Sequence, residues 1–295
     1  MMRLLCLLVF IVSAFAGSSQ KPAMKLIVHK DFPSEQVETR RVDVYLPEGY
    51  PKEAPYQVLY MHDGQNLSDT TLAHGGKTWG ADKTVSALIK SNEVEPTILV
   101  GIWNTSNRYL EYAPIPAFTS LSDSTANNIV KEYGGIPFSD RYLSFIVEEL
   151  KPFIDKTYKT NKSAEATTIA GSSMGGLISL YAICRYPDTF GSAACVSTHW
   201  PILTKVHDKK MFQNFSLWLR KSLPADGKHR IYFDYGTIAL DSLYEPYQLK
   251  INEIMNLSGF SESMWTVKKY EGAEHNEAAW ERRFADILRY ALKRD

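Results

Sequence analysis

Residues 167–183 read TTIAGSSMGGLISLYAI, in which a β-branched apolar run passes through two serines into a helix-like run. A serine on a sharp turn between a strand and a helix projects above the sheet, and the helix N-terminus faces the charge that develops on the substrate. Such a turn is crowded, so it needs small residues two positions before and two positions after the serine. Ser173 has Gly171 and Gly175 there, whereas Ser172 is followed at the second position by a bulky methionine. The segment therefore predicts that Ser173 is a nucleophile.

Strand-like and helix-like segments alternate along the rest of the chain. The strand candidates are nearly continuous in apolar character, as in a sheet that is buried on both faces. They lie at residues 24–30, 40–46, 56–62, 97–103, 167–171, 192–197, 230–235 and 264–270. Helices are predicted at 141–154, where Ser139 or Asp140 would form the N-cap, at 177–185 and at 276–293. This alternation predicts an α/β fold with a mainly parallel sheet flanked by helices, and a short connection favours an antiparallel edge from the first two strands.

Two long segments interrupt the alternation, at residues 104–137 and 199–227. Long connections at strand ends often shape a binding site or form a lid, but they can also be surface decoration. The sequence leaves both interpretations open.

The first residues predict an exported protein. A short positive start and an apolar run lead to Ala14-Phe15-Ala16, which is typical of a signal peptide cleaved after Ala16. Residues 17–295 would then form a single catalytic domain in a periplasmic or extracellular location, with no membrane span. The full chain has 33 basic and 33 acidic residues, so it lacks the charge excess that favours binding to nucleic acid.

Neither a metal nor a cofactor is predicted. Only Cys184 and Cys195 would remain after cleavage, and no cysteine pair has the spacing of a zinc site. Export permits one disulfide between them, but two buried free thiols are the favoured interpretation. Two glutamates flank His275 without a further set of ligands.

A serine nucleophile needs a base, and His275 is the preferred candidate. It follows the last predicted strand and opens the last predicted helix, in the sequence GAEHNE. A base returns to the serine at this point of the architecture. The alternative is His199 in STHWP, although a structural histidine with its hydrogen bonds satisfied, or a substrate-facing one, is the better interpretation. His62 is expected to orient the loop after its strand.

The acid that orients the base is expected after the strand at 230–235. Asp241, beyond a Gly-Thr turn, is preferred, Asp234 at the strand end is the second choice, and Glu245 lies further along. The acid would hold the imidazole tautomer and stabilise the imidazolium. An oxyanion hole would use the backbone N–H of Met174 and that of Gln65 in MHDGQN.

These motifs resemble the putative esterase family of α/β-hydrolases. The resemblance rests on RVDVYLPEGY, VLYMHDGQN, AGSSMGGLISLYAICRYPDTFG and GAEHNE, and it covers nearly all of the mature chain. Similar proteins include S-formylglutathione hydrolases, feruloyl and acetylxylan esterases, enterochelin esterases and bacterial mycolyltransferases. The resemblance implies an α/β-hydrolase fold, a triad of Ser173, Asp241 and His275, and an oxyanion hole at Gln65 and Met174.

The predicted function is that of a secreted serine esterase that forms an acyl-enzyme. Acetyl or feruloyl groups on carbohydrate are the first substrate hypothesis, with Trp103, His199 and Trp200 as candidate contacts for the substrate. Acyl transfer to a sugar hydroxyl and hydrolysis of a siderophore trilactone are the alternatives. A serine peptidase and a non-catalytic binding protein are less favoured, the latter because all three predicted triad residues are present.

Overall fold

A computed structural model describes residues 23–53, 55–224, 227–261 and 263–293, so the predicted signal peptide at 1–16 lies outside the described residues. Its centre is an eight-stranded sheet. The strands are β1 (Lys25–Phe32), β2 (Arg40–Leu46), β3 (Gln57–His62), β4 (Thr97–Ile102), β5 (Thr167–Ser172), β6 (Ser192–Val196), β7 (Arg230–Gly236) and β8 (Trp265–Tyr270). All eight predicted strands are confirmed, with ends that differ by two residues at most.

The strand order is β1-β2-β4-β3-β5-β6-β7-β8. Strand β2 pairs antiparallel with both β1 and β4. Every other neighbouring pair is parallel, and parallel pairing requires the crossover helices that the alternation predicts. The mainly parallel sheet and its antiparallel edge are therefore confirmed.

Both faces of the sheet are buried. Alternate residues of a strand point to opposite faces, and in β3 they enter two separate hydrophobic cores. Val58 and Tyr60 belong to the larger core, whereas Leu59 and Met61 belong to the smaller one. This explains why the central strands are apolar at nearly every position.

Ten α-helices surround the sheet in the described residues. They are α1 (Ala81–Lys90), α2 (Arg108–Tyr112), α3 (Asp123–Tyr133), α4 (Ser139–Ser144), α5 (Lys151–Thr157), α6 (Met174–Arg185), α7 (Lys209–Ser222), α8 (Glu245–Leu257), α9 (Glu277–Glu281) and α10 (Phe284–Ala291). Helices α4 and α5 are joined by a π-helical segment, Phe145–Leu150. Together the three segments cover and extend the helix that was predicted at 141–154.

The prediction of its N-cap was wrong. Phe138 occupies the N-cap position, and no side chain caps the helix there. The hydroxyl of Ser139 instead accepts the backbone N–H of Ile115, and the carboxylate of Asp140 accepts the hydroxyl of Tyr181. Both polar groups serve tertiary contacts that the local sequence does not reveal.

The last predicted helix, at 276–293, is divided into α9 and α10. Between them, Arg283 turns its side chain inward to the carboxylate of Asp234, with an Nη2–Oδ1 distance of 2.8 Å. The apolar stripe that includes Trp280 and Phe284 is nevertheless buried, as predicted. The break brings a cation to the carboxyl edge of the sheet, next to the site described below.

The two long insertions contain helices and pack against each other. The hydroxyl of Tyr133 accepts the backbone N–H of Lys205 at 2.8 Å. The Nδ2 of Asn214 donates to the carbonyl groups of Ala117 and Thr119. The segments therefore form one layer rather than two independent loops.

Cys184 and Cys195 are both buried and unbridged, in agreement with the favoured interpretation. Among the described residues, no helix combines the length and the apolar character that crossing a membrane requires.

Candidate active site

Ser173 lies on a strained turn between β5 and α6. Its φ and ψ are 58° and −122°, a region that favours glycine. A Cβ atom on Gly171 would lie 2.9 Å from the carbonyl carbon of Gly175, so the two glycines allow the strand and the helix to approach this closely. This geometry agrees with the prediction that Ser173, and not Ser172, occupies the turn.

Backbone hydrogen bonds fix Ser173 from two sides. Its N–H donates to the carbonyl of Val196 at 2.9 Å, and its carbonyl accepts the N–H of His199 at 3.1 Å. The carbonyl also accepts the N–H of Leu177, while Met174 is the first residue of α6. The N–H of a first helical residue has no acceptor within its own helix, so the Met174 N–H is available to a substrate oxygen.

His275 and Asp241 form a direct hydrogen bond, with 2.5 Å between Nδ1 and Oδ1. Asp241 is fully buried, and its Oδ2 accepts the hydroxyl of Ser197 and the N–H of Gly236, both at 2.6 Å. Burial alone would raise the pKa of Asp241, but the bonds from His275, Ser197 and Gly236 hold it below its usual value. The carboxylate is therefore charged at neutral pH and orients the imidazole through Nδ1.

Asp234, the alternative acid, has a different set of partners. Its carboxylate accepts Nε and Nη2 of Arg283 at 3.0 and 2.8 Å. It also accepts the N–H of Ser197 and the hydroxyl of Tyr232. This buried ion pair has a structural role, and the third candidate acid, Glu245, pairs with Lys269 instead.

The loop after β3 has the backbone of a tight turn. Asp63 has a φ of 57°, and residues Gly64–Asn66 form one turn of 3₁₀ helix. A Cβ atom on Gly64 would lie 2.7 Å from the carbonyl carbon of Gly101, so this glycine lets the loop lie directly against β4. Gln65 therefore sits in a close turn at the carboxyl end of β3.

Two side chains from the first insertion hold this loop. Arg108 donates Nε and Nη2 to the two carboxylate oxygens of Asp63, each at 2.7 Å, and Asn104 donates Nδ2 to the same group. The side-chain oxygen of Gln65 accepts the backbone N–H of Asn104 at 3.4 Å. One function of the insertion is thus to order the loop that carries Gln65.

A further hydrogen bond joins the Gln65 loop to the segment after His275. The Nδ2 of Asn66 donates to the carboxylate of Glu277 at 2.9 Å. Burial raises the pKa of Glu277, and the charge of Asp63 adds to this effect. The Gln65 loop and the segment after His275 are therefore linked directly.

His62 lies below the same loop and is buried. Its Nδ1 is 2.8 Å from the hydroxyl of Tyr142. Burial lowers the pKa of His62 to about 3, so the ring is neutral at physiological pH. Its position fits the prediction that it orients the loop.

The three candidate substrate contacts differ in how far they are exposed. Trp200 is only 1% exposed and donates Nε1 to Gln248, so the structure does not present it to a ligand. His199 is 2% exposed, and its Nδ1 lies 2.8 Å from the hydroxyl of Tyr244. Trp103 is partly exposed and donates Nε1 to Asp43, which leaves it as the accessible member of the three.

Sequence reasoning missed Tyr244, Ser197 and Arg283, each of which contacts a site residue or its neighbour. Tyr244 comes three residues after Asp241, at the start of α8, and no motif distinguishes it from other tyrosines. For Ser197, the sequence offered one signal, namely a polar residue directly after β6 at the carboxyl edge of the sheet. Within the described residues, no group of three or more metal-ligating side chains is present.

The chain is similar to known proteins in sequence and in structure. A family model described as putative esterase matches residues 34–291. The uncharacterized protein YbbA of Bacillus subtilis is 24% identical over 261 residues, which cover 85% of this chain and 92% of that protein. The ferri-bacillibactin esterase BesA of the same species is 27% identical over 187 residues, which cover 59% of this chain and 61% of BesA. A solved ferulic acid esterase superposes with a TM-score of 0.66 at 17% identity, covering 92% of this chain and 98% of that chain.

Proposed function

Because the chain belongs to the putative esterase family and is a carboxylic ester hydrolase, we propose that it acts through a triad of Ser173, His275 and Asp241. Ser173 attacks the ester carbonyl while His275 takes its proton. His275 then returns the proton to the leaving alcohol, and water releases the acid from the acyl-enzyme.

One observation carries this proposal, namely the 2.5 Å hydrogen bond between His275 Nδ1 and the buried Asp241. An imidazole whose Nδ1–H is held by a carboxylate keeps the lone pair of Nε2 free to accept a proton. The negative charge of Asp241 also stabilises the imidazolium that forms. The strained turn at Ser173 supports the proposal independently, since such strain gathers at functional sites.

The oxyanion hole would consist of two backbone N–H groups. Met174 supplies the first N–H of α6, and the positive end of the helix dipole lies behind it. Gln65 supplies the second from the turn that Arg108 and Asn104 hold through Asp63. Fixed donors of this kind stabilise the negative oxygen of the tetrahedral intermediate without reorganisation.

The substrate is proposed as an ester of an extracellular metabolite or carbohydrate. The fold shared with a ferulic acid esterase makes a feruloyl ester the first candidate, and acetyl groups on carbohydrate are proposed beside it from the sequence alone. The similarity to BesA supports a siderophore trilactone as the second candidate. Partly exposed Trp103 lies against Gly64 in the oxyanion loop, 2.8 Å from the position of a Cβ atom there, where it would contact the acyl group.

The decisive experiment compares Ser173→Ala with Ser172→Ala on p-nitrophenyl acetate. We expect Ser173→Ala to lose several orders of magnitude in kcat, because it lacks the attacking oxygen. Ser172→Ala is the matched control and should retain turnover. Activity of Ser173→Ala equal to that of the wild type would refute the proposed nucleophile.

The same protein would then be assayed on feruloylated xylan, acetylated xylan and a catecholate trilactone. The highest kcat/KM identifies the substrate class. Adding a sugar whose hydroxyl group can act as the acceptor tests acyl transfer, because a transferase would convert the ester to a sugar ester rather than to the free acid.

Export is the last part of the proposal and rests on the N-terminal sequence. Expression of the full chain in a bacterium, followed by fractionation and N-terminal sequencing, should give a periplasmic or secreted protein that begins at Gly17. Retention of Met1 on a cytoplasmic product would contradict it.

A further inference from the structure

Ser197 directly follows β6 and lies between two buried carboxylates. Its hydroxyl donates to Oδ2 of Asp241 at 2.6 Å, and its backbone N–H donates to Oδ1 of Asp234 at 3.0 Å. All three residues are fully buried. Ser197 therefore contacts both the proposed acid of the triad and the acid of the structural ion pair.

The direction of the Ser197 hydroxyl proton follows from its partners. The oxygen is 2.8 Å from Nη2 of Arg283 and 3.0 Å from the indole Nε1 of Trp280. Both nitrogens can only donate, and a serine oxygen accepts at two lone pairs and carries one proton. Because the two donors occupy both lone pairs, the hydroxyl is the donor in its bond to Asp241.

Asp234 has no free acceptor site to compete for this proton. Its Oδ1 accepts the N–H of Ser197 and Nη2 of Arg283. Its Oδ2 accepts Nε of Arg283 and the hydroxyl of Tyr232. An ionised carboxylate offers about four acceptor sites, and these donors fill them. Arg283 thus saturates Asp234 and also donates to the oxygen of Ser197.

The same hydroxyl fixes the orientation of Asp241. Oδ2 of Asp241 accepts a second bond from the backbone N–H of Gly236, also at 2.6 Å. A proton on this oxygen would face two donors, so Oδ2 remains an acceptor. Oδ1 is then the oxygen that accepts Nδ1–H of His275 at 2.5 Å.

We propose that Ser197 is a positioning residue of the triad, and that the ion pair of Arg283 and Asp234 directs its hydroxyl to the triad acid. The inference rests on the proposed function, since it assumes that the triad acts as described. Ser197 acts through Asp241, and its proton stays on its own oxygen throughout. Its bond holds the carboxylate so that His275 keeps its proton on Nδ1 and leaves the lone pair of Nε2 for the proton of the nucleophile.

The first test compares Ser197→Ala with Ser192→Ala. Ser192 begins the same strand and is equally buried, and its hydroxyl has no hydrogen-bond partner among the described residues. We expect Ser197→Ala to lower kcat on p-nitrophenyl acetate about 10-fold with KM unchanged, as for loss of one of two hydrogen bonds to a carboxylate oxygen. The rate of inactivation by phenylmethylsulfonyl fluoride should fall by a similar factor. Ser192→Ala should leave both rates unchanged.

A second variant separates the hydrogen bond from the stability of the fold. Ser197 has a φ of 40°, which glycine adopts more readily than other residues. Ser197→Gly should therefore be more stable than Ser197→Ala in urea unfolding, but equally slow. Activity that followed stability would instead indicate a purely structural role.

The directing role of the ion pair is tested by its two halves. In Asp234→Asn, Arg283 still donates to Ser197, so kcat should stay close to that of the wild type. In Arg283→Met, Asp234 loses two donors and can accept the Ser197 hydroxyl, so kcat should fall about as far as in Ser197→Ala. Both variants break the same buried pair and should be strongly destabilised in urea.

The double variant with Asp234→Asn and Arg283→Met removes the competing carboxylate together with its partner. Replacing both members of a buried ion pair by uncharged groups is often neutral for stability, so this protein should fold even where Arg283→Met does not. Asp241 would again be the charged acceptor beside Ser197, and kcat should return to nearly that of the wild type.

Several results would overturn the inference. They are a wild-type kcat in Ser197→Ala, equal losses in Ser197→Ala and Ser192→Ala, recovery of kcat in Ser197→Gly, and a double variant as slow as Ser197→Ala. If Ser173→Ala is inactive while Ser197→Ala is fully active, this inference alone fails. If Ser173→Ala is active, the proposed function fails first.

Discussion

Asp234 and Asp241 are both fully buried, and exchanging each for asparagine should give opposite phenotypes. In Asp241→Asn, one carboxylate oxygen becomes an N–H₂ group. If this group faced Ser197 and Gly236, two hydrogen bonds of 2.6 Å would become contacts between donors. The amide therefore turns its nitrogen toward His275, which forces the tautomer with the proton on Nε2, and that tautomer cannot accept a proton from Ser173.

Asp241→Asn should lose activity far more than stability. Its kcat should fall by about 10⁴-fold, and its free energy of unfolding should change only moderately. In Asp234→Asn, by contrast, the guanidinium of Arg283 loses its charged partner in a buried site. Breaking such a pair costs about 3–5 kcal/mol of unfolding free energy. Its effect on kcat should be far smaller, because Asp234 does not contact His275.

Both variants would be assayed for kcat on p-nitrophenyl acetate near neutral pH and for unfolding in urea. We expect Asp241→Asn to be inactive with a moderate change in stability, and Asp234→Asn to be active but strongly destabilised. If Asp234→Asn lost several orders of magnitude in kcat while Asp241→Asn kept full turnover, the assignment of the acid would be reversed.

Three further predictions concern the turn and the buried histidine. Gly171→Ala should lower the free energy of unfolding in urea by about 1–3 kcal/mol, because its Cβ atom would lie 2.9 Å from the backbone of Gly175. Gly175→Ala should lower it by less, because its Cβ atom would lie 3.4 Å from Cβ of His62. Ser173→Gly should be inactive but more stable than Ser173→Ala by about 1 kcal/mol in the same assay, because glycine tolerates a positive φ. In His62→Gln, the free energy of unfolding should fall less steeply as the pH is lowered. With a pKa of about 3 in the folded state, His62 binds its proton in the unfolded state first as pH falls below about 6.5, so the wild type should lose about 2 kcal/mol more than the variant between pH 7 and pH 5.

The sequence predicted the sheet well because its signals are local. Apolar runs of strand length, and glycines at fixed distances from Ser173, depend on neighbours in the chain. The position of His275 after the last strand likewise follows from the order of elements. These features need no knowledge of distant contacts, and they led to the fold, to the turn at Ser173 and to the place of His275 after the last strand.

What the sequence left open depends on contacts between distant residues. The choice between Asp234 and Asp241 depends on Arg283, which is 49 positions from Asp234. The exclusion of Trp200 as a ligand contact depends on its burial beside Gln248, 48 positions away. The π-helical segment and the break before Arg283 also follow from tertiary packing. Propensity and periodicity contain no information about such partners.

Backbone strain in this protein is concentrated at the carboxyl edge of the sheet. Seven non-glycine residues among those described have a positive φ. Five of them, Asp63, Ser173, Ser197, Ile202 and Ala239, follow the ends of β3, β5, β6 and β7. Such conformations cost about 1–3 kcal/mol each and persist only where surrounding contacts impose them.

Those surrounding contacts can be identified for three of the five. Asp63 is held by Arg108, Ser173 by backbone bonds to Val196 and His199, and Ser197 by Asp241 and Arg283. Each restraint comes from a different element, and Ser197 is itself a partner of the proposed acid. A substitution that relaxed one of these turns would therefore stabilise the fold, but it would also move a residue of the candidate site out of position. The stabilisation expected for Ser173→Gly relative to Ser173→Ala would thus measure the free energy that the fold expends to hold the proposed nucleophile above the sheet.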